Sequence, residues 1–193
     1  MKLKPLSTLA PPALALAALL CAPAMAASLS ERIETCGACH GEDGNARMPR
    51  VPSLAGQPNF YLMNQLILIR EGVRKIPEME ALAKDLKDDD ILALAAHYSA
   101  APTKRSEETP DPALVARGAQ VAASHHCASC HTPALTGQEQ MPRLAGQRID
   151  YMVEALKAMR DNRRTSADPL MVETVVGLSD QDLAALAHYA ASK

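Results

Sequence analysis

The sequence predicts an all-α protein built from two tandem copies of one helical unit. The motif Cys-x-x-Cys-His occurs at residues 36–40 and again at 127–131, and Pro-x-Leu-Ala-Gly-Gln follows it in both places, at 52–57 and 142–147. Around these motifs the apolar residues repeat with helical spacing, and no stretch alternates convincingly with the period of two that a β-strand requires. A repeat of this length indicates a duplicated unit.

The N-terminal segment, residues 1–26, has the pattern of a cleaved export signal. Lys2 and Lys4 precede an apolar run, Leu9–Cys21, and Ala24-Met25-Ala26 then gives the small-x-small pattern that signal peptidase recognises. The run has 13 residues, two of them prolines, which is too short and too interrupted to span a bilayer comfortably. We therefore expect export and cleavage after Ala26, in preference to an uncleaved anchor or a lipoprotein attached at Cys21.

The mature chain is expected to form two domains joined by a linker. Residues 27–100 form the first domain, 101–112 (APTKRSEETPDP) a solvated linker rich in proline and charge, and 113–193 the second domain. The mature chain carries 18 basic and 22 acidic residues and contains no basic tract, so a nucleic-acid partner is not expected.

Local signals place helices in both copies. Pro58 opens an apolar helical run that Gly72 ends. In the second copy, Asp111-Pro112 has the pattern of an N-cap followed by proline at the first helical position. Ser179 and Asp182 predict a capping box for the last helix.

Neither copy has the large side chains that usually fill a core. The whole chain has four tyrosines, one phenylalanine and no tryptophan. A helical unit of about 75 residues buries little surface. We therefore expect a bound apolar group, such as a macrocycle, to complete each core.

The two Cys-x-x-Cys-His motifs predict two covalently bound haem c groups. Zinc sites and redox dithiols share the Cys-x-x-Cys spacing. Zinc would leave both histidines unexplained, and a dithiol oxidoreductase would need a βαβ context that the sequence lacks. Two thiols can instead add to the two vinyl groups of haem, and the next residue then places an imidazole on the iron. Attachment is predicted at Cys36, Cys39, Cys127 and Cys130, with His40 and His131 as proximal ligands.

The repeat nominates a methionine in each copy as the second axial ligand. Met79 and Met171 occupy equivalent places, seven residues before Leu86 and Leu178. A methionine ligand raises the reduction potential and favours electron transfer. The other candidates are assigned other roles: Met48 and Met141 lie too near the motifs, Met63, Met152 and Met159 fit core positions, and His97, His125, His126 and His188 fit surface or structural positions.

The motifs C-G-A-C-H-G, P-S-L-A-G-Q, Y-L-x-x-Q-L and L-x-D-x-D-I-x-x-L-A-A resemble those of the dihaem cytochrome c-4 family, over nearly all of the mature chain. The resemblance implies two class I cytochrome c domains, each wrapped around one His/Met haem. It also implies electron transfer in the periplasm toward terminal oxidases, with loose membrane association in some members. One departure is Thr132-Pro133, where the first copy has Gly41.

The resemblance leaves other roles to weigh. The haem subunit of a sulfide-oxidising flavocytochrome is built similarly, and a dihaem peroxidase also carries two haems. Methionine at the same place in both copies argues against a peroxidase, which needs an open iron. We therefore expect an electron carrier that is not an enzyme and has no small-molecule substrate. Its partners would be a terminal oxidase, a quinol-oxidising complex or a dehydrogenase.

Two charged stretches are candidate docking faces for these partners. Asp88-Asp89-Asp90 lies in the first copy, and Arg160, Arg163 and Arg164 lie in the second. The alternative is that each is an ordinary solvated helix end.

Overall fold

A computed structural model of the chain describes residues 27–193, so the predicted export signal lies outside the described residues. This part of the chain folds into nine α-helices and contains no β-strand beyond one isolated bridge, which confirms the predicted all-α class. None of these helices is long and apolar enough to cross a membrane. The helices are α1 (Leu29–His40), α2 (Asn59–Arg70), α3 (Pro77–Ala83), α4 (Asp88–Ala100), α5 (Pro112–Ser124), α6 (Ala128–His131), α7 (Ile149–Arg160), α8 (Pro169–Val175) and α9 (Asp180–Ala191).

The predicted helix boundaries are confirmed. Helix α2 follows Pro58 and ends just before Gly72, whose positive φ of 65° turns the chain away from the helix. The Asp111 side chain accepts hydrogen bonds from the first backbone N–H groups of α5. Ser179 and Asp182 form the capping box of α9.

Helices α1–α4 form one unit and α5–α9 a second. In the first unit α4 packs against α1 and α2, and Ile91 and Leu94 of α4 are fully buried. In the second unit α5 lies so close to α9 that a Cβ atom on Gly118 would stand 2.0 Å from the Ala185 carbonyl oxygen. Only glycine permits this approach.

The repeat seen in the sequence is also a repeat of contacts. The Arg70 guanidinium donates to the Leu86 carbonyl (3.2 Å) and to Asp88 (2.7 Å). The Arg160 guanidinium makes the equivalent bonds to Leu178 (3.2 Å) and Asp180 (2.6 Å). Each pair joins the helix after the motif to the last helix of its unit.

The segment between α4 and α5 is mostly exposed, as expected, but it is fastened at both ends. The Lys104 ammonium lies 2.6 Å from Asp43, and its backbone N–H donates to Asn45 Oδ1 at 2.7 Å. The Glu108 carboxylate accepts from the first backbone N–H groups of α7, at 2.8 and 3.0 Å. These contacts hold the segment against both units.

Candidate functional site

Both Cys-x-x-Cys-His motifs border one cavity that lies between the two helical units. Its volume is about 1300 Å³, above the roughly 300–1,000 Å³ of an ordinary small-molecule site. The lining is mainly apolar and includes the predicted attachment and ligand residues of both copies: Cys36, Cys39, His40, Met79, Cys127, Cys130, His131 and Met171. The structure therefore brings the two predicted sites to one continuous space.

In the first motif, the last turn of α1 places the histidine ring. His40 is buried, and its Nδ1 lies 2.8 Å from the Pro52 carbonyl oxygen. The carbonyl can only accept, so Nδ1 carries the proton and donates. This tautomer leaves the Nε2 lone pair available as a metal ligand.

The second motif reaches the same arrangement by a different backbone route. His131 is buried, and its Nδ1 lies 2.9 Å from the Pro142 carbonyl oxygen. Helix α5 ends at Ser124, and the positive φ of His126 (52°) makes a turn that separates α5 from the short helix α6. His125 and His126 are exposed in this turn, although they border the cavity.

Burial sets the protonation of the motif side chains. Desolvation lowers the pKa of His40 and of His131, against the opposing effect of their proline carbonyl partners, so both imidazoles are neutral at neutral pH. Desolvation also raises the pKa of the Cys36 and Cys127 thiols, and none of the four motif cysteines forms a disulfide within residues 27–193. A neutral imidazole can bind a metal ion, and a cysteine outside a disulfide can form a thioether bond.

The two predicted methionines occupy equivalent positions. Met79 is the third residue of α3 and Met171 the third residue of α8, and each is half-buried at the cavity. Met48 and Met141 also border the cavity, and Met48 is 45% exposed. The structure thus places all four methionines at the lining, and the choice of Met79 and Met171 stays a prediction.

The departure from the repeat at Thr132 has a structural explanation. Thr132 adopts a φ of 69° at the position where Gly41 has 83°. This left-handed region strains a β-branched residue. The Thr132 hydroxyl lies 2.8 Å from that of Thr136 and accepts from its backbone N–H, and these bonds hold the turn.

The register of the closing helices shows that the two His-Tyr pairs, at residues 97–98 and 188–189, are not equivalent. The Gly56 N–H donates to the Tyr98 carbonyl (2.9 Å), and the Gly146 N–H donates to the Ala190 carbonyl (3.1 Å). Tyr98 therefore corresponds to Ala190, not to Tyr189. The buried Tyr98 hydroxyl lies beside Cys36 at the cavity, whereas Ala190 has no hydroxyl, so the two sites differ there.

Polar atoms without partners indicate what the cavity holds. Four buried side-chain atoms lack a hydrogen-bond partner within residues 27–193, and all belong to residues on the lining: Arg32 Nε, Tyr98 Oη, Arg164 Nε and Ser166 Oγ. In the same part of the chain, no group of three or more His, Cys, Asp or Glu converges as a metal site. The lining fits large apolar groups that carry polar substituents, as haem does, better than a bare ion.

The interpretation of Arg160, at the end of α7, and of Arg163 and Arg164 beyond it as one basic face is wrong. Arg160 is tied to Asp161 and Asp180, and Arg164 turns inward to the cavity. Only Arg163 has a mostly exposed side chain, at 58%. In the first unit Asp88 pairs with Arg70, and Asp90 with Arg32.

Comparison with known proteins agrees with this geometry. Residues 115–192 match the family described as cytochrome c, and residues 24–97 match the family described as cytochrome c oxidase, cbb3-type, subunit III. Cytochrome c4 of Pseudomonas aeruginosa is 36% identical over 175 residues, which is 85% of this chain and 86% of the relative. The chain belongs to the cytochrome c4 family. As a member of this family, it is an electron carrier with two covalently bound haem c groups.

Two further similarities extend this result. A crystal structure of reduced recombinant cytochrome c4 from Pseudomonas stutzeri superposes with a TM-score of 0.76 at 30% identity, covering 86% of this chain and 99% of that one. A protein of Thiomonas intermedia named thiosulfate dehydrogenase electron acceptor is 33% identical over 184 residues, covering 89% of this chain and 84% of the relative.

Sequence reasoning missed the residues that join the two units of this cytochrome. Gln57 and Gln147 were noted only as part of a repeated motif, and Arg74 was not singled out. Both glutamines are buried, and each bonds the opposite unit. The signal that could have identified them is the repeated Gly-Gln pair, at residues 56–57 and 146–147, in equivalent loops of the two units.

Proposed function

We propose that this cytochrome is exported to the periplasm and delivers electrons to a terminal oxidase, without catalysing a reaction of its own. In this proposal the four motif cysteines attach the haems, His40 and His131 are the proximal ligands, and Met79 and Met171 are the second axial ligands. The observation that carries it is the equivalent placement of a buried histidine and a half-buried methionine in both units, on one cavity.

The residues of the chain prepare both sites for outer-sphere transfer. When bound, haem supplies a one-electron couple at iron. The Pro52 and Pro142 carbonyls fix the ring orientation and tautomer of the histidines. Because these carbonyls can accept the histidine Nδ1–H hydrogen bonds in both oxidation states of the haem iron, little rearrangement of the protein is needed when the charge of the iron changes. The mainly apolar lining of the cavity surrounds the buried rings of His40 and His131, whereas Cys39 and Cys130 are exposed.

A methionine at each site would leave no position for a small-molecule substrate, which argues against a peroxidase. The pattern of residues 1–26 supports export, and covalent attachment keeps a cofactor on an exported chain. The partners expected for such a carrier are large redox proteins that it meets in brief encounters of small area.

A second role has a specific observation in its favour. The Thiomonas intermedia relative is named as the electron acceptor of a thiosulfate dehydrogenase. This cytochrome would then take electrons from a dehydrogenase that oxidises a sulfur compound. The two roles are compatible, since one protein can accept from a dehydrogenase and donate to an oxidase.

The test uses the purified dihaem protein. Reduced protein is mixed with oxidase-containing membranes, and reoxidation is followed at the haem absorption band with and without cyanide. We expect cyanide-sensitive oxidation of both haems, and reduction of the oxidised protein by a thiosulfate dehydrogenase with thiosulfate. Substantial turnover of hydrogen peroxide with an electron donor would contradict the carrier role.

A further inference from the structure

The peptide group that holds each motif histidine is bound on its other side by the opposite unit. The carbonyl oxygen of the peptide between Pro52 and Ser53 accepts from His40 Nδ1 at 2.8 Å. The N–H of the same peptide donates to the Gln147 side-chain oxygen, also at 2.8 Å. One planar peptide thus links the His40 ring, in the first unit, to an amide in the second unit.

The second unit repeats this chain of hydrogen bonds in the opposite direction. The carbonyl of the peptide between Pro142 and Arg143 accepts from His131 Nδ1 at 2.9 Å. Its N–H donates to the Gln57 side-chain oxygen at 3.0 Å. Proline and glutamine are the first and last residues of the repeated Pro-x-Leu-Ala-Gly-Gln motif. Each copy of the motif therefore holds its own histidine through the proline and reaches the other unit's histidine through the glutamine.

Both chains of hydrogen bonds are shielded from water. His40, His131, Gln57 and Gln147 are each between 5% and 7% exposed. A second bond fixes each glutamine, because its amide nitrogen donates to the carbonyl of the residue that supplies the N–H, at 2.9 Å in both units. Inside a protein, where the dielectric constant is low, hydrogen bonds in a chain polarise one another. These chains are therefore placed to transmit an electrostatic effect from one unit to the other.

The direction of this effect follows from the polarity of the peptide. A glutamine oxygen that accepts from the peptide N–H makes the carbonyl oxygen of that peptide more negative. A more negative carbonyl strengthens the hydrogen bond from histidine Nδ1, and the imidazole then becomes a more basic ligand. A more basic ligand stabilises the oxidised, more positive iron, so the reduction potential falls.

We propose that Gln147 lowers the reduction potential of the first haem and that Gln57 lowers that of the second, so that each unit adjusts the cofactor of the other. This role rests on the proposed binding of iron by His40 and His131. Each glutamine acts through one peptide group and one histidine and is therefore a positioning residue. Both potentials then depend on the docking of the two units.

The test measures the potential of each haem separately, by NMR of the dihaem protein at controlled applied potentials. Gln147→Leu keeps a side chain of similar size and removes the amide. At fixed applied potential, the ratio of reduced to oxidised first haem should rise about threefold, which corresponds to about 28 mV at about 59 mV per tenfold change. The second haem should shift much less. Gln57→Leu should shift the second haem and spare the first.

Thr165→Val is the matched control for a weakened junction. The Thr165 hydroxyl accepts from the Lys75 backbone N–H across the junction at 3.0 Å, and this bond involves neither of the two peptides. We expect both potentials of this variant to stay near those of the wild type. A second readout is the Nδ1–H resonance of the histidines in the reduced protein. That of His40 should move upfield in Gln147→Leu, because its hydrogen bond weakens, and should stay in place in Gln57→Leu.

Several results would overturn this assignment. Equal shifts of both haems in both glutamine variants would mean that the glutamines only dock the units. A shift no larger than that of Thr165→Val, or a fall in place of a rise, would also exclude it. If Gln147→Leu does not fold with two haems, Gln147→Glu replaces it, since a carboxylate keeps an oxygen that accepts from the peptide N–H. The first haem should then have a potential at or below that of the wild type, and a higher one would contradict the proposal.

The binding of iron by the histidines is checked separately in the wild-type protein. Ring resonances of an iron-bound histidine are strongly displaced by the unpaired electron of oxidised haem. If those of His40 and His131 are not displaced, the proposed ligands are wrong. If they are displaced and neither leucine variant shifts the haem of the opposite unit, the role of the glutamines alone is refuted.

Discussion

Gln57 and Gln147 make equivalent paired hydrogen bonds across the junction of the two units. The Gln57 side-chain amide accepts from the Arg143 N–H (3.0 Å) and donates to the Arg143 carbonyl (2.9 Å). The Gln147 amide accepts from the Ser53 N–H (2.8 Å) and donates to the Ser53 carbonyl (2.9 Å). Each glutamine side-chain amide thus pairs with the N–H and the carbonyl of one residue in the opposite unit, as a neighbouring strand would. Because the two sets of bonds are equivalent, the two units are related locally by an approximate twofold axis.

These bonds predict the strength of the junction. Gln147→Ala removes the side-chain partner of the Ser53 N–H, the Ser53 carbonyl and the Arg148 N–H, which costs about 1–3 kcal/mol for each group left unpaired. We expect the free energy of unfolding in urea to fall by about 2–4 kcal/mol, since these groups relax in part, and the two units to unfold at separate denaturant concentrations. Gln181→Ala, at an exposed site, is the control. A single transition at the wild-type midpoint for Gln147→Ala would show that the amide contributes nothing.

The ion pair of Lys104 and Asp43 predicts an acid-resistant attachment of the segment between α4 and α5. The Lys104 ammonium and the Asn45 backbone N–H lower the pKa of Asp43 to about 2, from 3.8. Because the folded-state pKa is the lower one, the pair stabilises the fold above pH 3.8, and this contribution disappears as the pH falls through about 2. NMR titration of the Asp43 carboxyl carbon should show this low pKa in the wild-type protein.

Two matched lysine variants separate the effect of the ion pair on the Asp43 pKa from the effect of removing any one positive charge. Lys104→Met should return the pKa of Asp43 toward its ordinary value, while Lys84→Met, at an exposed lysine that forms no ion pair within residues 27–193, should not. An Asp43 that titrates normally in the wild-type protein would mean that the segment is not fastened in solution.

The register of the closing helices predicts unequal roles for the two tyrosines of α4 and α9. Tyr98 is 3% exposed inside the first core, whereas Tyr189 is half-buried under Lys193. Tyr98→Ala should lower the free energy of unfolding by about 3–5 kcal/mol, as for other buried aromatic side chains. Tyr189→Ala should lower it by less than half as much. Equal losses would indicate that the two His-Tyr pairs are equivalent after all.

Covalent attachment predicts what the cysteines of the second motif contribute. Replacing Cys127 and Cys130 together with alanine should leave one haem per chain, measured by absorbance against protein mass. Helicity in the far-ultraviolet should also fall, because the second unit loses the group that completes its core. Ser129→Ala, between the two cysteines, should keep two haems. Two covalent haems in the double variant would contradict attachment at this motif.

Much of this structure follows from local patterns in the sequence. Capping at Asp111 and Ser179 involves neighbouring residues, and the motif histidines follow from the chemistry of attachment, so both could be predicted. Arg164 could not, because its direction depends on the turn after α7, where Asn162 has a φ of 53°, and on the opposite unit. Bonds such as that of Gln57 to Arg143 depend on how the two units dock, which no repeat within one unit encodes.

The identity of the second axial ligands tests the account most directly. The measurement is the weak sulfur-to-iron charge-transfer band of the oxidised protein in wild type, Met79→Ala, Met171→Ala and the double variant, with Met48→Ala and Met141→Ala as controls. We predict that each single replacement removes about half of the band, that the double replacement removes all of it, and that both controls keep it, since one sulfur binds each iron. Loss of the band in Met48→Ala or Met141→Ala, with the band intact in Met79→Ala and Met171→Ala, would contradict the proposed sites.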